Sequence, residues 1–145
     1  MHIFEGIKLK GIDENGEEKE FSLAELGEKI VLYFYPKDNT PFCTQEAMDF
    51  RDKITKLAGK ATIVGVSPDN VDSHKNFRQS NFINFPLLSD SDNKLSKMLG
   101  VYKENPVKGT KEIERSTFII KDGLITNAWK NVNIEGHVDK VIESL

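Results

Sequence analysis

The sequence predicts an α/β fold in which helices cover both faces of a central mixed sheet. Residues 30–35 and 61–67 form two continuously apolar runs that are rich in β-branched and aromatic side chains. Such runs are typical of strands buried on both faces. A segment with helical spacing, residues 41–57, lies between them. A strand, a helix and a strand over this distance form a βαβ unit with parallel strands.

The N-terminal region predicts a β-hairpin followed by a short helix. Residues 7–12 alternate loosely between apolar and polar types before the Asn15-Gly16 pair, which is a hairpin turn signal. Ser22, with Glu25 three residues later, fits a capping box at the start of a short helix. The hairpin is therefore expected as an N-terminal extension of the α/β core.

The second half of the chain predicts an antiparallel pair and a closing helix after the parallel strands. A polar stretch suits a surface helix, and an Asp-Gly turn joins two later strands into a hairpin. In chain order the expected elements are a helix at 70–80, a strand at 85–88, a helix at 94–99, paired strands at 115–120 and 124–129, and a helix at 135–145.

Length, charge and cysteine content exclude several classes of protein. A chain of 145 residues with 38% apolar and 30% charged side chains suits one globular domain, residues 1–145. Its single cysteine excludes an internal disulfide framework and any site built from several cysteines. A net charge of −3 gives no reason to expect nucleic acid as a partner. No apolar run suits a membrane span and the N-terminus lacks a secretory signal, so the cytoplasm is the expected location.

The sequence predicts no metal site and no bound cofactor. His2, His74 and His137 are scattered without metal-ligand spacing, and no glycine-rich phosphate loop is present. Asp90 and Asp92 lack the remaining ligands of a calcium loop, so a solvated turn is the preferred interpretation of that stretch.

The stretch that carries chemistry is residues 35–43, where a buried strand leads into a helix. Thr40 is a suitable N-cap, and Pro41 suits the first helical position because it has no N–H to leave unpaired. Cys43 then falls third in the helix, among free backbone N–H groups and at the positive end of the helix dipole. Both influences favour a thiolate over a thiol.

The remainder of this helix directs the cysteine toward the core. The cysteine and four apolar residues recur at spacings of four, three, four and three, which mark the face that a helix buries. They are Cys43, Ala47, Phe50, Ile54 and Leu57. A lone cysteine is more often a small buried hydrophobic residue than a nucleophile. The Thr-Pro-x-Cys start favours a reactive thiol, because filling space does not require a cysteine at a helix N-terminus.

Residues 33–47, Tyr-Phe-Tyr-Pro-Lys-Asp-Asn-Thr-Pro-Phe-Cys-Thr-Gln-Glu-Ala, resemble the active-site segment of the peroxiredoxins. They are most similar to the bacterioferritin-comigratory-protein group, also called peroxiredoxin Q. The family pattern Pro-x-x-x-Thr/Ser-x-x-Cys is matched by Pro36, Thr40 and Cys43. Residues 115–120 resemble the strand that bears the family's active-site arginine, and the likeness extends over most of the chain.

The resemblance implies a thioredoxin-like fold and a thiol peroxidase that reduces hydrogen peroxide and organic hydroperoxides. By that likeness Cys43 is the peroxidatic cysteine, whose thiolate becomes a sulfenic acid. Thr40 would hold the peroxide oxygens by a hydrogen bond, and Pro36 would shield the thiolate from water. Arg115 would stabilise the thiolate and the leaving oxygen, and Glu46 would orient that arginine.

Elementary chemistry supports an arginine in this role. Negative charge develops on the departing oxygen, and preorganised donors aimed at such a charge are usually the largest catalytic contribution. Of the three arginines, Arg51, Arg78 and Arg115, only Arg115 lies in a strand that can pack beside the active-site strand. The alternative for Arg115 is a cross-strand ion pair with a neighbour.

Two positions depart from the group's pattern. Met48 occupies the place of the usual resolving cysteine, five residues after Cys43. Oxidised Cys43 must therefore be reduced by an outside thiol such as thioredoxin, glutaredoxin or glutathione, or by a second chain. Phe42 replaces the usual glycine, and its ring either shapes the pocket toward hydrophobic hydroperoxides or packs against a neighbouring loop. The likeness suggests a monomer or a weak homodimer.

Two other functions compete with a peroxidase. One is a redox sensor or binding protein of the same fold, which oxidises at Cys43 without turnover. The other is a hydrolase or transferase that pairs Cys43 with a histidine. The local sequence offers no Cys–His pair, which disfavours the second possibility.

Overall fold

The structure, a computed structural model, describes residues 2–57 and 59–145. Apart from β6 and β7, strands and helices follow one another in the predicted order. They are β1 (Lys8–Ile12), β2 (Glu18–Ser22), β3 (Lys29–Phe34), α1 (Pro41–Leu57), β4 (Thr62–Ser67), α2 (Val71–Asn81), β5 (Leu87–Ser89), α3 (Lys94–Met98), β6 (Tyr102–Asn105), β7 (Thr110–Ile113), β8 (Ser116–Lys121), β9 (Leu124–Trp129) and α4 (His137–Glu143).

A seven-stranded mixed sheet organises the fold, with strand order β2-β1-β5-β4-β3-β8-β9. Strand β4 pairs in parallel with β3 and β5, whereas β8 pairs antiparallel with both β3 and β9. The hairpin β1–β2 attaches at the other side through an antiparallel contact with β5. The predicted mixed sheet, its βαβ unit and the N-terminal hairpin extension are confirmed.

Strand β3 is apolar from Ile30 to Phe34 because both of its faces are buried there. Ile30, Leu32 and Phe34 belong to one core cluster, whereas Val31 and Tyr33 belong to the cluster on the opposite face. Helices α1, α2 and α4 contribute to the second cluster, and α3 contributes to the first. Alternate side chains of a strand point to opposite faces, so a strand covered on both sides must be apolar throughout.

The predicted capping box at Ser22 is wrong. Residues Leu23–Glu25 form only a turn of 3-10 helix, and the Ser22 side chain makes no capping hydrogen bond. The backbone N–H of Leu23 instead donates to the carbonyl of Ile7, which ties this turn to the N-terminal segment. A tertiary backbone contact therefore decides the local geometry.

The hairpin β6–β7 has no counterpart among the predicted elements. Seven of its eight residues are polar or aromatic, and Ile113 is its one aliphatic residue. Most of them are exposed, so the apolar alternation that identifies a strand is missing. The hairpin packs as a separate two-stranded sheet.

The solvated turn predicted around Asp90 and Asp92 is confirmed for Ser91 and Asp92, which are exposed in a turn, but is wrong for Asp90. Asp90 is only 2% exposed, and its carboxylate accepts hydrogen bonds from the backbone N–H groups of Leu95 and Ser96. These N–H groups lie in the first turn of α3, where no intrahelical acceptor exists. Asp90 therefore holds the start of α3 from within the protein. Within residues 2–57 and 59–145, no three His, Cys, Asp or Glu side chains gather as a metal site.

Among the helices of the described residues, none is long and apolar enough to cross a membrane.

His137, at the start of α4, makes folding stability depend on pH. Its Nε2 lies 2.7 Å from the Thr117 hydroxyl, and its ring meets Trp129 edge-on. Burial, with the positive charges of Lys140 and Arg115, lowers the pKa of His137 to about 4. His137 takes up a proton near pH 6.5 in the unfolded chain but only near pH 4 in the folded protein. The free energy of unfolding therefore falls as the pH drops from about 6.5 to about 4.

We expect the free energy of unfolding to fall by about 1–2 kcal/mol more in the wild type than in His137→Gln between pH 7.5 and 5. Glutamine keeps a polar group near Thr117 but does not titrate. Urea unfolding of both proteins at the two pH values measures the difference. Parallel pH dependences would show that His137 is not the titrating group.

Candidate active site

The site begins where β3 ends and the loop of residues 35–40 leads into α1. The backbone of Tyr35 still bonds to Val66 on β4, so the loop leaves from the carboxyl ends of two parallel strands. This is where α/β sheets commonly bind ligands. The carbonyl of Thr40 accepts a hydrogen bond from the N–H of Thr44, and Pro41 is the first helical residue, as predicted.

Cys43 is the third residue of α1 and is only 1% exposed. Its side chain belongs to the core-facing stripe, together with Ala47, Phe50 and Leu57. The Nη2 group of Arg115 donates a hydrogen bond to the cysteine sulfur over 3.1 Å. The thiol therefore sits beneath the surface and faces a fixed positive charge.

Arg115 reaches this position because of strand register. It directly precedes Ser116, which pairs with Phe34 at the end of β3, so the arginine stands beside the point where the active-site loop begins. Its second arm, Nη1, donates to Oε1 of Glu46 over 2.7 Å. Glu46 lies on α1 rather than on a neighbouring strand, so the alternative of a cross-strand ion pair for Arg115 is wrong.

Electrostatics couple the three groups. Burial raises the pKa of Glu46 to about 7, although the charge of Arg115 and its hydrogen bond act in the opposite direction. Glu46 is fully buried, and within the described residues its Oε2 has no hydrogen-bond partner. Burial works to lower the pKa of Arg115, but the negative charges of Glu46 and Cys43 outweigh it and raise that pKa. The guanidinium therefore stays cationic.

Thr40 and Pro36 lie in the same loop and stand outside the hydrogen bonds that join Cys43, Glu46 and Arg115. The Thr40 hydroxyl donates to the carbonyl of Lys37 over 2.9 Å. Pro36 is exposed and lines an open cleft of about 480 Å³ that also includes Tyr102 and Ile113 from the β6–β7 hairpin. The structure thus brings Cys43, Glu46 and Arg115 together, whereas Thr40 bonds within the loop and Pro36 lines the cleft.

The two departures from the group's pattern have different surroundings. Phe42 is 69% exposed, so the interpretation that its ring packs against a neighbouring loop is wrong. Met48 is half-buried within α1.

The histidines near the centre of the fold bond elsewhere. His137 pairs with Thr117, and His74 lies 2.7 Å from the carboxylate of Asp38. Among the described residues no histidine hydrogen-bonds to Cys43, which leaves the hydrolase or transferase hypothesis without geometric support. The Asp38–His74 pair was not predicted, because the two residues are far apart in the sequence and neither belongs to a known spacing pattern.

Comparison with known proteins places this arrangement in a family. The AhpC/TSA family matches residues 4–128. Peroxiredoxin Bcp of Bacillus subtilis is 42% identical over 143 residues, which cover 96% of this chain and 89% of that protein. Peroxiredoxin Bcp of Xanthomonas campestris is 43% identical over 127 residues, 84% of this chain and 79% of that one.

A solved structure extends the likeness to the whole fold. A cysteine variant of PrxQ from Xylella fastidiosa matches with a TM-score of 0.90 and 35% identity. The match covers 99% of this chain and 90% of that one. The thioredoxin-like fold implied by the active-site segment is therefore confirmed.

Fold, site and relatives together define an enzyme, a thiol peroxidase of the peroxiredoxin class. The chain belongs to the AhpC/TSA family, with the Bcp and PrxQ proteins as its relatives. Its single cysteine fits a member without a resolving cysteine. The class implies a peroxide as substrate and a thiol as reductant.

Glu46 provides a test of the buried charge. Its pKa in the folded protein lies above the ordinary value of 4.5. The stability it contributes is therefore fully present below pH 4.5 and is lost as pH rises through about 7. The comparison uses two proteins that both carry Cys43→Ser, so that the thiol does not contribute. One keeps Glu46 and the other also carries Glu46→Gln. Between pH 5 and 8, we expect the free energy of unfolding to fall by about 2–3 kcal/mol more in the protein that keeps Glu46. Chemical denaturation at both pH values measures it, and equal pH slopes would refute the buried-charge account.

Proposed function

We propose that this peroxidase reduces hydrogen peroxide and organic hydroperoxides through Cys43 and is recycled by an external thiol. The observation that carries the proposal is the 3.1 Å contact between the Arg115 guanidinium and the Cys43 sulfur, with Glu46 holding the other arm. A cation fixed against the sulfur favours the thiolate, which is the nucleophilic form.

The reaction begins when the thiolate attacks the terminal oxygen of the hydroperoxide. A sulfur–oxygen bond forms, the O–O bond breaks, and two electrons pass from sulfur to the peroxide. The leaving oxygen takes up a proton and departs as water or an alcohol. Cys43 becomes a sulfenic acid.

Donors around Cys43 are suited to the charge that develops on the leaving oxygen. Arg115 already lies beside the sulfur and presents a planar fork of N–H groups. The Thr40 hydroxyl would turn from the Lys37 carbonyl toward the peroxide oxygens. Pro36, an exposed residue of the same loop, would limit the access of water to the thiolate. Preorganised donors of this kind typically contribute about 3–4 kcal/mol each.

Recycling requires two thiols from outside the chain. The first attacks the sulfenic sulfur, releases water and forms a mixed disulfide with Cys43, and the second displaces Cys43 as a thiolate. Met48 cannot act as a resolving residue, and the sequence contains no other cysteine. Thioredoxin, glutaredoxin and glutathione are thiols that supply this chemistry. We propose that the protein works in the cytoplasm, which is reducing, and that it is a monomer or a weak homodimer.

The absence of a resolving cysteine also favours a second candidate function, a redox sensor that oxidises once at Cys43 and passes the signal to a partner. Turnover separates the two. An enzyme consumes many equivalents of peroxide in the presence of a dithiol, whereas a sensor of this kind consumes one.

We expect Cys43→Ser to abolish peroxide consumption with added dithiol, because a serine hydroxyl is not ionised at neutral pH. Stopped-flow measurement of hydrogen peroxide loss gives the rate, and circular dichroism checks that the fold is intact. Retained activity in a folded variant would remove Cys43 from its role. A single stoichiometric oxidation of the wild type would support the sensor.

Replacing Arg115 with Lys should slow the oxidation of Cys43 by about tenfold or more, because an ammonium lacks the planar, two-pronged geometry with which the guanidinium spans the sulfur and Glu46. Arg51→Lys is the matched control, since Arg51 bonds to Asp52 and to the Asn81 carbonyl, outside the site. Single-turnover oxidation of each variant by hydrogen peroxide gives the rate constants. Equal rates for the two variants would transfer the role to another group.

A further inference from the structure

A buried polar cluster lies behind the active-site loop and takes no part in the chemistry described above. We name it the anchor cluster; its members are Tyr35, Asp38 and His74. Asp38 is in the middle of the loop, Tyr35 is at the loop's start and His74 is on α2. Asp38 is 4% exposed and the other two side chains are fully buried.

Hydrogen bonds converge on the Asp38 carboxylate from three side chains. The Tyr35 hydroxyl donates to Oδ1 over 2.6 Å. The Ser73 hydroxyl donates to Oδ2 over 2.8 Å, and Nδ1 of His74 lies 2.7 Å from the same oxygen. The backbone N–H of Asp38 donates to Oδ2 of Asp69 over 2.7 Å. Both the side chain and the main chain of this one loop residue are therefore held.

The donors in the cluster can be assigned from their partners. Nε2 of His74 lies 2.9 Å from the carbonyl of Leu88, which can only accept, so this nitrogen carries a hydrogen. Nδ1, the other ring nitrogen, makes the 2.7 Å contact with the Asp38 carboxylate. Burial and the charge of Asp38 raise the pKa of Tyr35 well above its ordinary value, so its hydroxyl keeps its proton and donates.

The anchor cluster fixes the loop at a conformationally demanding point. Asn39, next to Asp38, has φ of 63°, in the left-handed region. Non-glycine residues adopt this region at a cost, which the surrounding contacts must offset. Thr40 follows immediately, and Pro41 starts the helix that carries Cys43. The placement of the Thr40 hydroxyl relative to the sulfur therefore depends on where Asp38 is held.

We propose that Tyr35, Asp38 and His74 are positioning residues that hold the active-site loop so that the Thr40 hydroxyl meets a peroxide bound at Cys43. This inference rests on the proposed function. The proposal predicts different effects on two reactions of the Cys43 sulfur. Peroxide attack needs the loop donor in place, whereas alkylation by iodoacetamide needs only an accessible thiolate. Loss of the cluster should slow the first reaction and leave the second nearly unchanged.

Two buried tyrosines near the end of β3, Tyr35 and Tyr33, provide a test variant and its control. Tyr35→Phe removes the hydroxyl that bonds to Asp38. Tyr33→Phe removes a hydroxyl that is also buried but, within the part of the chain that the structure describes, has no hydrogen-bond partner. We expect Tyr35→Phe to lower the single-turnover rate constant with hydrogen peroxide by about five- to tenfold, the kinetic equivalent of a lost ordinary hydrogen bond. Tyr33→Phe should stay within about twofold of the wild type.

A second pair tests the loop residue itself. Asp38→Asn keeps the shape of the side chain, and its amide can donate to Nδ1 of neutral His74 while its carbonyl accepts from Tyr35. Asp38→Ala removes every side-chain contact. We expect the asparagine variant to keep most of the peroxide rate and the alanine variant to lose about tenfold or more, with iodoacetamide rates within about twofold throughout. A variant that is partly unfolded would instead expose Cys43 and speed alkylation.

Ser73→Ala completes the series, because it removes one bond to Asp38 from a half-buried position and leaves the N-cap bond that the Ser73 backbone N–H donates to Asn70. It therefore gives a folded variant if the buried substitutions do not fold, and a peroxide rate lowered by about twofold or more is expected. Unchanged peroxide rates in the folded variants, or equal losses toward peroxide and iodoacetamide, overturn the proposal.

The reaction of the wild type with hydrogen peroxide tests the proposed function separately from the anchor cluster. A wild type that does not react with hydrogen peroxide contradicts the proposed function. The anchor cluster is then judged by amide hydrogen exchange of residues 37–40. Faster exchange in Tyr35→Phe than in Tyr33→Phe supports the anchoring, and equal exchange refutes it.

Discussion

The contact of the Arg115 guanidinium with both the Cys43 sulfur and the Glu46 carboxylate is the interaction on which the site depends. A thiolate or a carboxylate buried alone pays a large desolvation penalty. A single cation between two acidic groups lets both lie inside the protein. In the proposed reaction, the same geometry leaves a guanidinium beside the sulfur that attacks, where negative charge moves onto the departing oxygen.

The mixed sheet makes this contact possible between residues that are 72 positions apart. Antiparallel pairing of β8 with β3 sets Arg115 beside the start of the active-site loop, while α1 carries Cys43 and Glu46 on one face. On the other side of the loop, Asp38 and His74 form a second buried pair. The desolvation penalty of a buried charged pair offsets most of the attraction between its members, so such pairs contribute little to stability. We therefore interpret both pairs as contacts that fix the geometry of the site and of the loop.

Much of the fold and part of the site could be predicted, and the reasons differ by element. Helix α1 begins and ends where its proline start and apolar stripe predict, because these signals are local. The polar hairpin β6–β7, the carboxylate of Asp90 and the Asp38–His74 pair could not be found in this way. The hairpin lacks apolar alternation, Asp90 bonds to backbone groups of the next helix, and His74 comes from a distant segment. Nothing in the local pattern marks Asp38, His74 or Asp90 as buried.

The sequence alone determined that a lone cysteine stands at the start of a helix and faces the core, because helical periodicity and proline placement depend only on neighbouring residues. Its motif also indicated which arginine to expect. Only the tertiary structure decided that one guanidinium bridges Cys43 and Glu46 and that Asp38 is held by Tyr35 and His74. Such contacts follow from strand register and packing, which bring together groups that no local spacing relates.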